Sequence, residues 1–205
     1  MVRDGIPFVV TPLALAFVAF ALGYWYVGAA LLVVAAFMAF FFRDPHRPAP
    51  ADESLVLAPA DGRVTRVAAL DANDPGSPTV VSIFLSVFDV HVNRAPIAGE
   101  ITDVTYTRGR FVIATREDAS LVNEQNSLTI EGARMTVVCK QIAGVLARRI
   151  VCWKRVGDSL SLGERFGMIK FSSRTDLVLP PEVAVEARVG ERVRGGLSVV
   201  GRLKS

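Results

Sequence analysis

The sequence predicts a compact, mainly β domain that follows an N-terminal helical membrane hairpin. Three observations predict this organisation. Residues Ile6 to Phe42 carry no charged side chain. From Leu55 onward, short apolar stretches alternate with turn residues, and a helical period is indicated only over Arg116 to Val122. Two short motifs each occur twice in this region, which indicates a pseudo-symmetric sheet.

The charge-free run is too long for a secretory signal peptide, and it ends in Phe-Phe-Phe-Arg rather than in a small-residue cleavage site. A single helix of this length would extend roughly 55 Å, against a hydrocarbon core of about 30 Å. Aromatic residues between Gly23 and Gly28 favour a turn at an interface. We therefore predict two short helices, Pro7 to Leu22 and Ala29 to Phe42, which form a hairpin that spans or re-enters the bilayer.

Positive charge flanks both ends of this hairpin, at Arg3 and at Arg43 with Arg47. The positive-inside rule then predicts a cell (inner) membrane protein whose remaining chain is cytoplasmic. The expected domains are an anchor over 1–43, a stiff proline-rich linker over 44–54, and a β-rich domain over 55–205.

The predicted strands share short apolar or β-branched patterns bounded by turn residues. They are Val64 to Ala68, Thr79 to Val87, Ile101 to Tyr106, Ser127 to Ile130, Arg134 to Gln141, Val145 to Trp153, Met168 to Phe171, Thr175 to Leu179, Val183 to Val189 and Leu197 to Val200.

The internal repeats refine the fold class. The segment Pro59 to Val67 matches Pro96 to Val104, and Arg155-Val156-Gly157-Asp158 matches Arg188-Val189-Gly190-Glu191. The second motif is similar to the hairpins of lipoyl and biotinyl carrier domains. We expect a compact pseudo-symmetric β-sandwich or barrel-sandwich hybrid.

Charge and cysteine content exclude several classes of function. The net charge is +3, and no basic stretch is interleaved with aromatic residues, so nucleic acid is not an expected partner. The two cysteines, Cys139 and Cys152, lack the spacing of a metal pair and fit core positions in a reducing compartment. We expect no metal site.

Three places in the sequence can carry chemistry. His91 lies in Asp89-Val90-His91-Val92-Asn93, where strand alternation would put the three polar side chains on one face. Asp61 opens a predicted strand and needs a partner to be more than a turn residue. The apolar stretch beginning at Arg165 ends in two hydroxyls, Ser172 and Ser173.

Taken together, these segments resemble the short, membrane-hairpin form of phosphatidylserine decarboxylase. The resemblance rests on four segments in order, and it covers nearly the whole chain. They are Pro59-Ala60-Asp61-Gly62, Asp89-x-His91 with a proline five residues on, Asn123-Glu124-Gln125-Asn126, and Arg165-Phe166-Gly167-Met168-Ile169-Lys170-Phe171-x-Ser173-Arg174.

The resemblance implies that the chain makes its own cofactor. His91 and Asp61 would activate the Ser173 hydroxyl in a Ser-His-Asp arrangement. The activated hydroxyl would then attack the carbonyl of Ser172. Elimination would then leave a large chain, Met1 to Ser172, and a small chain that begins with a pyruvoyl group derived from Ser173. That group would serve as electron sink in the decarboxylation of phosphatidylserine, a membrane phospholipid, to phosphatidylethanolamine, with His91 returning the proton. A homodimer is also implied.

Two positions depart from the family pattern. Glycine normally precedes the reactive serine, and here Ser172 stands in its place. Glycine eases strained backbone, so we expect Ser172 to slow cleavage, and its hydroxyl is a rival nucleophile. Long-form members carry a second histidine where this chain has Arg94, which cannot act as a base, so His91 must serve alone.

Two other functions are compatible with the sequence. One keeps the chemistry and changes the substrate to another lipid with a serine headgroup. The other is a membrane-anchored, non-enzymatic β-hybrid carrier or adaptor. A carrier would need a lysine at a hairpin tip, and neither repeated turn has one; an adaptor would leave Asp61, His91 and Ser173 without a role.

Overall fold

The structure is a computed structural model that describes residues 1–113, 119–145, 149–171 and 173–204. The chain divides into two compact units, Met1–His46 and Arg47–Ser205. The division places Arg47, expected in the linker, with the second unit.

The first unit is a helical hairpin. A short 3-10 helix, Arg3–Gly5, leads into α1 (Ile6–Ala21), which is followed by α2 (Trp25–Phe41). The Val2 amide donates to the Phe42 carbonyl over 3.1 Å, so the two ends of the hairpin lie together. Within the described ranges, one segment, Arg3–Ala21, is long and apolar enough to cross a membrane, with a mean hydropathy of 1.8.

The second helix begins four residues earlier than the sequence predicts. The turn is confined to the residues around Gly23, whose φ is +82°. Gly28 is inside α2 instead, where a Cβ would come within 2.6 Å of the Phe20 ring. Its role is therefore close helix packing rather than the turn, and the prediction that α2 starts at Ala29 is wrong.

The second unit is mainly β, as predicted. Its strands are β1 (Leu55–Leu57), β2 (Gly62–Ala69), β3 (Thr79–Leu85), β4 (Val92–Arg94), β5 (Gly99–Thr107), β6 (Gln125–Glu131), β7 (Thr136–Ala143), β8 (Arg149–Cys152), β9 (Ser159–Leu160), β10 (Arg165–Lys170), β11 (Ser173–Leu179), β12 (Val183–Val185), β13 (Arg192–Val193) and β14 (Val199–Leu203). Among the described residues, a curled antiparallel sheet of order β13-β2-β3-β11-β7-β6-β5-β9 is joined by two smaller sheets, β1-β14-β12 and β4-β10-β8.

The expected repeat is present in the large sheet. The first motif opens β2 in one copy and β5 in the other, and each strand forms a hairpin with the next one, β3 or β6. Each also skips one residue in its pairing, between Val64 and Arg66 and between Ile101 and Asp103. The skipped residue is the threonine of the motif in both copies, so the repeat extends to its β-bulges.

The second motif forms equivalent turns at the two edges of this sheet. Gly157 and Gly190 have φ of +89° and +91°. Each donates its amide over 2.8 Å to the first motif's β-branched residue, Ile101 or Val64. Positive φ is easily adopted by glycine, which explains why the glycine recurs. The turns lead into β9 and β13, so the pseudo-symmetry predicted from sequence is confirmed.

Helical structure in the second unit is limited within the described residues to α3 (Ala119–Val122). The predicted helix over Arg116 to Val122 lies partly outside the described residues. Four of the five described strands of two or three residues, β1, β4, β9 and β13, have no counterpart among the predicted strands, because so few residues rarely display alternation. The main core combines apolar side chains of the large sheet, including Cys139, with residues of the two smaller sheets such as Phe166 and Val200.

Candidate active site

Ser173 begins β11, a central strand of the large sheet. Its backbone is in register with Leu85 of β3 and Ala143 of β7. The residue is fully buried, and its Oγ has no hydrogen-bond partner within the described part of the chain. A buried hydroxyl without a partner is costly, which marks this position for a function other than packing.

The chain is strained just before Ser173. Phe171 has φ of +64° and is the one non-glycine residue with positive φ in the described ranges. This region is unfavourable for a bulky aromatic residue and costs about 1–3 kcal/mol. The intervening Ser172, expected on the acyl side of the cut, lies outside the described residues. Backbone strain therefore lies beside the bond expected to break.

His91 is fully buried just before β4. Its Nδ1 lies 2.9 Å from the carbonyl oxygen of Asp89. A carbonyl only accepts, so Nδ1 carries the proton, and in the neutral ring Nε2 is the basic nitrogen. The His91 carbonyl accepts from the amide of Ile169 over 3.3 Å. Because Ile169 is in β10, which leads directly to Phe171, His91 lies beside the strand that delivers the reactive segment.

Asp61 lies at the start of β2, and its carboxylate is bound by two other segments. Arg47 donates from Nη1 to Oδ1 over 2.5 Å and from Nη2 to Oδ2 over 2.8 Å. The Gly195 amide donates to Oδ1 over 2.8 Å. In the described residues, the hydrogen bonds of Asp61 go to these two partners, while the His91 ring is oriented by a backbone carbonyl. The expected Ser-His-Asp arrangement therefore differs from the structure in one contact: among the described residues, Asp61 and His91 are not hydrogen-bonded to each other.

Asp89 does not share a strand face with His91, which differs from the alternation expected from sequence. The strand comprises only Val92–Arg94, and Asp89 is in the preceding turn. There its Oδ2 accepts from the amide and the hydroxyl of Ser86, over 2.9 and 2.7 Å. The side chain shapes the turn that presents its own carbonyl to His91.

A chain of buried side chains runs beside Ser173. Asn126 donates to Gln141 over 3.1 Å, Gln141 donates to Asn93 over 2.9 Å, and Asn93 donates to the Thr175 hydroxyl over 3.1 Å. All four residues are buried. Thr175 is two residues after Ser173 and so projects from the same face of β11. The network fixes β4, which follows His91, against the strand that carries Ser173.

The opposite face of β11 carries a buried ion pair. Arg174 donates to both carboxylate oxygens of Asp176, over 2.6 and 2.9 Å, and to the Ser82 hydroxyl over 2.9 Å. Both charged residues are 3% exposed. A bidentate pair of this kind has strong directional preference. It therefore fixes the strand that begins at Ser173 from the side away from the hydroxyl.

Two further residues in the motifs have structural contacts. Asn123 donates to the carbonyls of Val112 and Ala143 over 2.9 and 2.7 Å, which ties two loops at the end of β7. Arg94, at the position of the long-form histidine, is buried and donates to the Gly163 carbonyl over 3.2 Å. Across the described ranges, no group of three or more His, Cys, Asp or Glu side chains could hold a metal ion.

Sequence comparison identifies relatives along nearly the entire chain. Residues 34–201 match the phosphatidylserine decarboxylase family model. A protein of Solibacter usitatus, named phosphatidylserine decarboxylase proenzyme, is 50% identical over 172 residues, which cover 84% of this chain and 81% of the relative. Proteins of the same name from Symbiobacterium thermophilum and Carboxydothermus hydrogenoformans are 46% and 41% identical, and the matches cover 98% and 100% of this chain and 94% and 97% of those relatives. The resemblance inferred from the motifs is confirmed: the chain belongs to the phosphatidylserine decarboxylase family.

Proposed function

We propose that the chain is the precursor of a phosphatidylserine decarboxylase that cuts itself between Ser172 and Ser173. The mature enzyme then converts phosphatidylserine to phosphatidylethanolamine. The observation that carries the proposal is the buried Ser173 hydroxyl at the start of β11, without a partner in the described residues and two positions after the strained Phe171. Relatives named as proenzymes support the same conclusion.

Self-cleavage begins with attack of the Ser173 Oγ on the carbonyl carbon of Ser172. The hydroxyl proton passes to the His91 Nε2, and the peptide nitrogen gains a proton as the carbon–nitrogen bond breaks and an ester forms. Removal of the Ser173 α-proton then breaks the bond between Cβ and the ester oxygen. Ser172 is released with a free carboxylate, and hydrolysis of the remaining enamine releases ammonia and leaves the pyruvoyl group.

The position of Ser173 fits a pyruvoyl group. Elimination removes Oγ with the Ser172 carboxylate and leaves a methyl group at Cβ, which needs no hydrogen bond and so fits a buried place where the hydroxyl has no partner among the described residues. The flanking backbones of Leu85 and Ala143 would hold the new chain end at the sheet. When present, the pyruvoyl group supplies an electron sink for the pair of electrons left as carbon dioxide departs.

His91 is the proposed proton donor of the second reaction. The bond from Nδ1 to the Asp89 carbonyl fixes the ring, so proton gain and loss take place at Nε2. The same nitrogen that accepts the Ser173 proton during cleavage would then return a proton to the substrate carbon. Burial of the ring excludes bulk water from this step.

A phospholipid substrate in the bilayer would explain why the chain carries an apolar anchor. We assign residues 1–43 to membrane attachment at the cell (inner) membrane and residues 55–205 to catalysis on the cytoplasmic side, joined by the linker. The apolar segment Arg3–Ala21 and the flanking positive charge support this assignment. The lipid is a serine-headgroup phospholipid in the bilayer, and a homodimer follows the family expectation.

Intact mass spectrometry of the purified protein tests the proposal. Two chains ending and beginning at the Ser172–Ser173 bond are expected, with the smaller chain lacking an N-terminal amine. Ser173→Ala should leave a single chain, and Ser172→Gly should cleave faster than the parent. A stable single chain without decarboxylase activity would refute the enzyme and favour the carrier or adaptor alternative. An unchanged cut in Ser173→Ala would implicate Ser172 or a contaminating protease.

A further inference from the structure

Arg47 forms a side-chain ion pair with Asp61, the carboxylate that the family resemblance assigns to self-cleavage. Both of its terminal nitrogens donate to Asp61, one to each carboxylate oxygen, over 2.5 and 2.8 Å. The two side chains are only 7% and 12% exposed. This planar, two-point geometry is specific to arginine, and it fixes both the position and the rotation of the carboxylate.

A third segment completes the arrangement. Gly195 donates its amide to Asp61 Oδ1 over 2.8 Å, and its carbonyl accepts from Arg47 Nη1 over 2.6 Å. A Cβ at Gly195 would lie 3.1 Å from the Ala60 backbone, so glycine permits this close approach. Of about four acceptor positions on a carboxylate, three are used here within the described residues, and one on Oδ2 remains. Asp61 is held in place and retains capacity for one more donor.

The sheet register places this cluster at the same end of the fold as Ser173. Arg63 pairs with Phe84, and Ser173 pairs with Leu85, the next residue of β3. Two strand spacings, on the order of 10 Å, therefore separate the start of β2 from Ser173. That distance is too great for direct contact between Asp61 and the Ser173 hydroxyl. At that distance the carboxylate can act on the reaction through its negative charge rather than through a hydrogen bond to the serine.

We propose that Arg47 is a positioning residue for self-cleavage, because it fixes the Asp61 carboxylate in the place from which its negative charge stabilises the His91 imidazolium that forms as Ser173 loses its proton. The inference rests on the proposed function, in which His91 takes the Ser173 proton, and on the role in activation that the family resemblance implies for Asp61. Nothing in the proposed chemistry itself requires an arginine before the domain. The contact explains why a charged side chain from a proline-rich segment is buried against the sheet.

The test measures the first-order rate of self-cleavage of the full chain after synthesis, by gel and intact mass, for five chains. These are the parent, Arg47→Met, Arg47→Lys, Asp61→Asn and the double variant Arg47→Met with Asp61→Asn. Misplacement of a catalytic group by about 1 Å can cost up to 100-fold, so Arg47→Met should be slower by about 10-fold to 100-fold. Arg47→Lys, which restores the charge without the two-point geometry, should be intermediate. Arg47→Met combined with Asp61→Asn should be no slower than Asp61→Asn alone.

Two controls separate positioning from general stability. Arg63→Met removes an exposed arginine that donates to the Gly190 carbonyl, and it should cleave at the parent rate. Leu160→Ala truncates a buried side chain in the edge strand β9, and it should lower the melting temperature without slowing cleavage in the folded protein. Melting temperatures are measured for each variant on the uncleavable Ser173→Ala background.

The possible failures are distinguishable. If the parent cleaves and Arg47→Met cleaves at the same rate, the role of Arg47 is refuted while the proposed function stands. The role is also refuted if Leu160→Ala slows cleavage as much as Arg47→Met does, or if the double variant is slower than Asp61→Asn. If the parent never cleaves, the proposed function and this inference both fail.

Discussion

Asn93 joins β4 to the strand of Ser173, and its replacement by alanine gives a quantitative test of the buried amide network. The change removes the acceptor of Gln141, at 2.9 Å, and the donor to Thr175, at 3.1 Å. Each of the two buried polar groups left unsatisfied costs about 1–3 kcal/mol, so the expected loss of unfolding free energy is about 2–6 kcal/mol. For a domain of this size, 1 kcal/mol shifts the melting temperature by about 2–4 °C, which gives a decrease of roughly 4–24 °C.

The measurement is thermal unfolding by circular dichroism in detergent micelles. Both the reference and the variant carry Ser173→Ala, so that every molecule remains a single chain. Asn73→Ala, in an exposed turn, is the matched control and should change stability by less than about 0.5 kcal/mol. A decrease of less than about 2 °C for Asn93→Ala, or an equal decrease for the control, would show that the network does not stabilise the fold.

Three further predictions follow from buried groups. Burial raises the pKa of the Cys139 thiol, so little reactive thiolate forms. Cys139 should therefore resist alkylation at pH 8 until the protein is denatured, as measured by mass spectrometry. Rapid labelling of the native protein would contradict this prediction. Gly62→Ala should lower the unfolding free energy by more than about 4 kcal/mol, because φ is +150° and the new Cβ would collide with the Phe84 carbonyl. Gly157→Ala, which has open space around the new Cβ, should lower it by about 1–2 kcal/mol in the same melting assay. Asp176→Asn removes the carboxylate charge from the buried ion pair with Arg174, and a loss of about 3–5 kcal/mol is expected. An unchanged melting temperature would show that the pair is dispensable.

The repeated elements were predictable because their determinants are local. A glycine with φ near +90° between an arginine and an acidic residue defines the same turn wherever it occurs, as at Gly157 and Gly190. The motif that opens β2 and β5 likewise combines a glycine, a β-branched residue and a threonine at the bulge. These signals extend over only a few residues, so one sequence is sufficient to detect them.

The candidate residues could be chosen from the sequence, but their contacts could not. The motifs indicate Asp61, His91 and Ser173 as candidates, yet nothing in them indicates the partner of Asp61. Arg47 is separated from Asp61 by a proline-rich segment, and in the sequence its positive charge indicates only membrane topology. Gln141 carries no pattern of its own, because a single polar residue within a predicted strand is usually assigned to a surface. Such contacts depend on how distant segments are brought together by the sheet.

The boundary between the two compact units has a practical consequence for protein production. Removing the apolar hairpin by starting the chain at Leu55, where the β pattern begins, would also delete Arg47 and leave Asp61 with a buried charge that lacks its cation. A truncated protein that begins at Asp44 or Pro45 would retain the complete second unit. Two shortened chains that differ by about ten residues should therefore differ sharply in yield and in maturation, although both lack the same membrane segment.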